Sequence, residues 1–300
     1  MLGRLPMDLE IWCCPVCLAP LSPSDVGLRC SVEGRAFREF GGLHVLVRPD
    51  QEDLLDDGAG LAMAWKRGEW ALNRDEILRL PHLRRLGWRQ KARSLQALLA
   101  LLGSPMRRCV GDLGAGTGWL SYRLSEAGFR CFATDISGDP QVGLGAAGIF
   151  DTTPYRFERA IATLDHWPFQ SGSLDIAVCN ASLHYLPEIR PALSEAARVL
   201  RPDGVLIVMN EPVHEDPLSA IMASEDYRAH LRALGGRGKL VDWHRHFVAS
   251  ELETELRRFF PIVQRHNPDY GRRFSVSRRL RSVLLGMELA SFPLLEARAR

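Results

Sequence analysis

The sequence predicts an α/β fold in which a doubly wound parallel sheet follows a small β-rich module and a helical connector. Three observations carry this. After Pro105, short apolar runs alternate with helical segments, which is the pattern of βαβ units. The first of these runs enters a glycine-rich turn, Gly114-Ala115-Gly116-Thr117-Gly118, directly before a helix. Four of the seven cysteines, Cys13, Cys14, Cys17 and Cys30, crowd a turn-rich N-terminus.

Residues 1–50 form the module, with β-type runs at Leu28–Cys30, Ala36–Phe40 and Leu43–Val47. Residues 51–104 hold a linker and a helical segment. The stretch from Asp50 to Gly60 is acidic and glycine-containing and reads as the linker. Helical apolar spacing follows at Trp65, Trp70, Leu72, Ile77, Leu80, Leu83 and Trp88, continues through Leu95, Leu98, Leu99 and Leu102, and ends at Gly103-Ser104-Pro105. The α/β domain spans 105–300, with strands expected at Cys109–Leu113, Arg130–Thr134, Ala160–Leu164, Leu174–Cys179 and Val205–Met209. Helices are expected near Trp119–Glu126 and Glu188–Leu200, the second opened by Pro187, a residue favoured in a first helical turn. A helical insertion falls near 213–238, followed by a helix at Ser250–Arg258 and a strand near Ile262–Arg265.

Composition excludes several classes. With 46% hydrophobic and 25% charged residues the chain is neither disordered nor collagenous, and 38 basic against 36 acidic residues leave a net charge of +2 that demands no polyanionic partner. The longest apolar stretch, around Leu98–Leu102, falls far short of the roughly 20 residues of a membrane span. Met1–Glu10 lacks the apolar core of a secretory signal, so a cytoplasmic location is expected. In a reducing compartment clustered cysteines point to metal before disulfide, and Cys109, Cys131 and Cys179 read as core thiols.

Glycines leave no Cβ between a turn and its ligand, and the helix that follows offers free N–H groups. Trp119 stands where a dinucleotide-binding turn would place its last glycine or alanine, which argues against a pyrophosphate. The run Asp112-Leu113-Gly114-Ala115-Gly116-Thr117-Gly118 resembles the first motif, Asp-x-Gly-x-Gly-x-Gly, of class I S-adenosylmethionine-dependent methyltransferases. Asp135 ends the next strand at the place of that family's ribose-binding acid. Asp165-His166-Trp167-Pro168-Phe169 is similar to its adenine-side Asp-x-x-Pro-Phe stretch. Asn180-Ala181-Ser182-Leu183-His184-Tyr185-Leu186 and Arg198-Val199-Leu200-Arg201-Pro202-Asp203-Gly204 match its last two motifs, except at Asp203. The resemblance covers about half of the chain. It implies a Rossmann-like methyltransferase sheet with S-adenosylmethionine bound by Asp112, Gly114, Ala115, Gly116, Gly118, Asp135, Ile136, Asp165, His166 and Asn180.

In such chemistry the cofactor carries the reactive methyl, so the protein orients the acceptor, takes its proton and excludes water. His184, Tyr185 and Glu211 are the catalytic candidates, with Asn210 and His214 nearby, since ligands of doubly wound folds bind at the carboxyl ends of the strands. The alternative is that His184 and Tyr185 wall the cofactor pocket and Glu211 caps a turn before Pro212. The Trp65–Trp88 segment, the insertion and the run Asp242-Trp243-His244-Arg245-His246-Phe247 are candidates to cover or line the acceptor site.

Cys14-Pro15-Val16-Cys17, Cys30 and Gly42-Leu43-His44-Val45-Leu46 resemble the small zinc-ribbon module related to the activator subunit of tRNA methyltransferases. Cys14, Cys17 and Cys30 are then candidate zinc ligands. Glu33 replaces the expected fourth cysteine, leaving Glu33, His44 or Cys13 to complete a site, or a ribbon that survives on packing without metal. The expected function is single-displacement methyl transfer to a small-molecule or lipid-like acceptor. One alternative is rRNA or tRNA methylation, with the ribbon gripping RNA and Arg272, Arg273, Arg278, Arg279 and Arg281 as phosphate contacts. The other is a non-catalytic, cofactor-binding regulatory module that meets a protein partner through the ribbon.

Overall fold

The computed structural model describes residues 7–299, apart from 69, 272–275, 277, 279–281, 283 and 285. Strands β1 (Leu21–Ser24), β2 (Gly27–Cys30), β3 (Ala36–Phe40) and β4 (Leu43–Val45) form an antiparallel meander. Helices α1 (Asp53–Arg67), α2 (Arg74–Arg79) and α3 (Leu86–Leu102) follow. The central units are β5 (Cys109–Leu113), α4 (Trp119–Glu126), β6 (Arg130–Asp135), β7 (Glu158–Ile161), β8 (Leu174–Asn180), α5 (Arg190–Val199) and β9 (Leu200–Met209). Then come β10 (Val213–His214), α6 (Pro217–Ala233), α7 (Lys239–Trp243), β11 (Phe247–Val248), α8 (Ala249–Phe259), β12 (Ile262–His266) and β13 (Leu294–Arg298).

The main sheet runs β1-β2-β3-β4-β7-β6-β5-β8-β9-β13-β12, parallel from β4 through β9 and antiparallel at β13. Chain order reverses at β5, which lies between β6 and β8, and that switch point opens the crevice where doubly wound folds bind ligands. Alternation along each strand feeds two cores. Ala177, Cys179, Leu206 and Val208 pack with α5 and α8, whereas Ile176, Val178, Ile207 and Met209 pack with α3 and α4. Cys109, Cys131 and Cys179 are buried free thiols. No helix among the described residues is long and apolar enough to cross a membrane.

Four expectations need correction. The stretch read as a linker is helix α1, and its glycines are contact points: a Cβ on Gly60 would fall 2.4 Å from the Arg237 carbonyl oxygen and one on Gly58 3.2 Å from Ile136. Pro191, not Pro187, occupies the first turn of α5. The strand expected at Ala160–Leu164 ends at Ile161, where its pairing with Asp135 stops and the chain leaves the sheet to put Thr163, Leu164 and Asp165 on the crevice rim. Strand β9 starts at Leu200 and takes in the Arg-Pro-Asp-Gly run that reads as a helix stop.

The N-terminal segment is built into the sheet edge. β4 pairs with β7, and Trp12 and Phe169 bridge as an isolated antiparallel pair. The Trp12 ring is fully buried against Phe169 and Phe132, and its indole N–H donates to Glu158 at 2.9 Å. Trp12→Ala removes that packing and one of the donors to Glu158, which keeps the Asp8 N–H and Arg130, and denaturant unfolding should show a loss of about 3–5 kcal/mol. A loss below about 1 kcal/mol would mean that the N-terminal segment packs independently of the sheet.

Candidate active site

The glycine turn is clamped to the end of β6. Gly114 and Ala115 both donate to the Thr134 carbonyl at 2.9 Å, and the Gly116 N–H donates to Asp135 Oδ2 at 2.7 Å. Gly116 has φ +54° with open space where a Cβ would point, so the turn presents bare backbone to the crevice. Asp135 Oδ1 accepts from the Ser137 N–H at 2.8 Å, so each carboxylate oxygen has spare acceptor capacity. Burial raises the Asp135 pKa against the lowering effect of these N–H donors.

These groups line a cavity of about 740 Å³, with walls from α1, α3, α6, α7 and the β8 and β9 ends. On the rim, Asp165 accepts from Gln51 Nε2 at 2.8 and 3.0 Å, and Gln51 Oε1 accepts from Thr163 at 3.0 Å. Burial opposes ionisation of Asp165, but His166, Thr163 and Gln51 together hold its carboxyl below the usual range.

At the β8 end, His184 Nδ1 lies 2.5 Å from Glu211 Oε2, while Glu211 Oε1 accepts from the Ser182 and Leu183 N–H groups at 2.8 and 2.9 Å. Both side chains are buried. The His184 ring packs against Tyr185 and His244, and Tyr227 stacks on His244 at 4.3 Å. Burial, reinforced by the His184 and His246 rings, holds His244 far below the usual imidazole range, and burial beside His214 and His184 takes His246 down to about 3. Both rings are therefore neutral at neutral pH. Burial pushes the Tyr185 phenol well up. Deeper, Ser94 donates to Asn210 and Asn210 to Asn180, each at 2.7 Å, which fixes the Asn180 amide.

Residues 111–208 match a protein-family model described as a methyltransferase domain. The solved structure of YcgJ from Bacillus subtilis superposes with a TM-score of 0.50 at 17% identity, covering 70% of this chain and 99% of that one. A Haemonchus contortus phosphoethanolamine N-methyltransferase 2 in complex with S-adenosyl-L-methionine gives 0.54 at 12% identity, covering 79% and 59%. The core has the methyltransferase fold. In sequence, YcgJ, described as an uncharacterized methyltransferase, is 28% identical over 149 residues, or 48% of this chain and 56% of the relative. A demethylmenaquinone methyltransferase from Mycolicibacterium paratuberculosis is 31% identical over 147 residues, again 56% of its length. The chain thus spans about half the length of these relatives.

On this methyltransferase fold, Gly114, Ala115, Gly116, Asp135, Ile136, Asp165, Asn180, His184 and Tyr185 line one cavity. Asp112, Gly118, His166 and Glu211 are not among the residues that line it. Asp112 is fully buried and accepts from the Ser121 N–H at 3.1 Å and hydroxyl at 2.8 Å, tying the third residue of α4 to β5. A Cβ on Gly118 would strike Phe157 at 2.7 Å. His166 Nδ1 sits 3.3 Å from Asp165. Among the earlier candidates, His214 pairs with His246 at 2.9 Å, and Trp65, Trp70, Trp88, Tyr227, Trp243, His244 and His246 all join the wall. Sequence reasoning misses Gln51 and Lys91. Gln51 lies in the supposed linker, and Lys91, three residues after Trp88, has the spacing of an ordinary solvated helix charge.

In the module, the Cys14, Cys17 and Cys30 sulfurs lie within 4.8 Å of one another, a spacing that fits three corners of a tetrahedral thiolate site. Glu33, His44 and Cys13 do not complete it. Glu33 pairs with Arg35, His44 faces Glu39, and Cys13 is buried in the bridge region toward Pro168 with its thiol pushed up to about 12 by burial. Arg278 donates to the Leu289 carbonyl, while Arg272, Arg273, Arg279 and Arg281 lie outside the described residues.

Burial pushes the Asp112 carboxyl from its ordinary 3.8 up to about 7, against the Ser121 donors and with Asp135 adding to the rise. The native state therefore keeps a proton that the unfolded chain has released, and stability falls as pH rises through the window between these values. Asp112→Asn cannot ionise, so from about pH 4 to 7 its unfolding free energy should gain on the wild type by roughly 1 kcal/mol per pH unit. A difference independent of pH in denaturant titrations would contradict the assignment.

Proposed function

We propose that the protein is an S-adenosylmethionine-dependent methyltransferase acting on a small-molecule or lipid-like acceptor. The observation that carries this reading is His184, bonded to Glu211, in the wall of the cavity that the glycine turn and Asp135 also line. When bound, the cofactor supplies an electrophilic methyl group on a sulfonium. Asp135, whose oxygens each keep a free lone pair, suits two adjacent ribose hydroxyls, and the backbone of Gly114–Thr117 suits the amino-acid side. Asp165, held by Gln51, offers an acceptor to the adenine amino group.

Glu211 fixes the His184 ring through Nδ1 and is itself fixed by two backbone N–H groups, so Nε2 is left to take a proton from an acceptor. The apolar and aromatic wall from Trp65, Tyr185, Tyr227 and Trp243 excludes water and favours an apolar acceptor body. The demethylmenaquinone relative supports an acceptor of that lipid-like kind. We read the N-terminal module as a zinc ribbon held by Cys14, Cys17 and Cys30 with a fourth ligand from outside this set, and the free thiols throughout the chain support a reducing, cytoplasmic setting.

Methyl label from S-adenosylmethionine, followed into cell fractions with and without ribonuclease treatment, tests the reading. Label is expected in a ribonuclease-resistant small-molecule or lipid fraction. Label lost with ribonuclease would transfer the reading to RNA, and no label in any fraction would favour a regulatory module. With the labelled fraction as acceptor, His184→Ala should lower kcat by about 100-fold or more and Glu211→Gln by less, with cofactor binding retained. Unchanged kcat in both would remove the pair from the mechanism. Metal analysis should find roughly one zinc per chain, lost in Cys30→Ser, and a metal-free wild type would mean a ribbon held by packing alone.

A further inference from the structure

Four carboxylates line the cavity, and each has a partner within the chain. Asp135 takes the Gly116 and Ser137 N–H groups, Asp165 takes Gln51, Asp50 takes Arg48, and Asp53 takes Lys239. Two lysines line it as well. Lys239 is the one paired with Asp53, whereas Lys91, from the middle of α3, has no carboxylate within salt-bridge distance among the described residues. Its ammonium lies over the Trp70 and Trp88 rings, 5.8 and 5.9 Å from their centroids. The carboxylate whose field reaches it is Glu211, and that group is committed to His184, Ser182 and Leu183.

A partly buried cation without a counter-ion is costly, and folded proteins tend to pair such groups. Burial lowers the Lys91 pKa to about 8, with Glu211 opposing the fall, so the side chain is still largely cationic at pH 7. The cavity that Lys91 lines also presents the apolar surfaces of Trp70, Leu72 and Phe292. The aromatic faces partly compensate the charge but cannot neutralise it. A ligand bound in the cavity can supply the counter-ion that the chain does not.

We propose that Lys91 is the anion-reading residue of the cavity, taking as its counter-ion a carboxylate carried by a bound ligand. Two sources offer that chemistry. One is the amino-acid end of the cofactor, which rests on the methyltransferase reading above. The other is an acidic acceptor whose apolar body lies against Trp70, Leu72 and Phe292. In either case Lys91 sets specificity by rejecting the uncharged analogue, since the ammonium would then stay unpaired.

The test is calorimetric binding at pH 7 to wild type, Lys91→Met and Lys91→Arg. The probes are S-adenosylhomocysteine against 5′-methylthioadenosine, which lacks the amino-acid end, and octanoate against octanamide. In Lys91→Met one of the two carboxylate ligands should bind at least about tenfold more weakly, its carboxylate-free counterpart should bind at least as tightly as to wild type, and Lys91→Arg should recover part of the loss. A loss confined to S-adenosylhomocysteine names the cofactor as the source, and one confined to octanoate names the acceptor. Thermal unfolding controls for folding, and Lys91→Met should melt no lower than wild type because it removes an uncompensated charge. If Lys91→Met melts like wild type and binds both carboxylates as tightly, the proposal is overturned. If neither adenosine ligand binds any variant while octanoate keeps its dependence on Lys91, the methyltransferase reading fails and the anion site stands.

Discussion

The site depends on one short hydrogen bond between the loop that follows β5 and the last residue of the adjacent parallel strand β6. The Gly116 N–H meets Asp135 Oδ2 at 2.7 Å because β5 and β6 pair in a register that ends Leu113 against Thr134. The same register brings Gly114 and Ala115 onto the Thr134 carbonyl. The turn is thus held at both ends, and a carboxylate stands beside bare backbone at the switch point of the sheet. Asp112 fixes the third partner, helix α4, from below through Ser121. Shifting the register by one residue would turn Asp135 to the other face and dismantle the pocket floor.

A second constraint comes from chain that precedes the core. The segment joining β4 to α1 delivers Gln51 to Asp165, α1 packs its buried glycines on Ile136 and Arg237, and α3 sends Ser94 to Asn210 and Lys91 into the cavity. Strand β4 extends the sheet beyond β7, and Trp12 closes the corner against Phe169 and Phe132. The connector therefore completes the walls of the site, and the aromatic side is made largely by residues outside the strands β5 to β8.

The floor of the site is legible in the sequence and its walls much less so. Gly114, Gly116 and Gly118 announce a left-handed turn that few other residues tolerate, and Asp135 follows at the end of a short apolar run, so their meeting needs only the βαβ rule. Asp112 carries the same motif, yet its task is structural, because motif membership does not say to which side of a strand a carboxylate points. The acidic stretch before Gly60 looks like a linker because glycine signals both freedom and close contact, and only the approach of Arg237 distinguishes them. The bond from Gln51 to Asp165, the approach of Lys91 to Trp70 and the stacking of Tyr227 on His244 arise from packing between separate elements, for which local spacing carries no signal. Strand β13 is equally silent, since its pairing with β9 crosses more than eighty residues.

The central claim is that this cavity is built for an S-adenosyl ligand anchored by Asp135. Calorimetric titration of the wild-type protein and of Asp135→Ala with S-adenosylmethionine, S-adenosylhomocysteine and NAD tests it most directly. The account predicts micromolar binding of both sulfur ligands, no comparable binding of NAD, and loss of binding in a variant that melts within a few degrees of the wild type. Binding of NAD in preference to the sulfur ligands, or sulfur-ligand binding that survives Asp135→Ala unchanged, would contradict it.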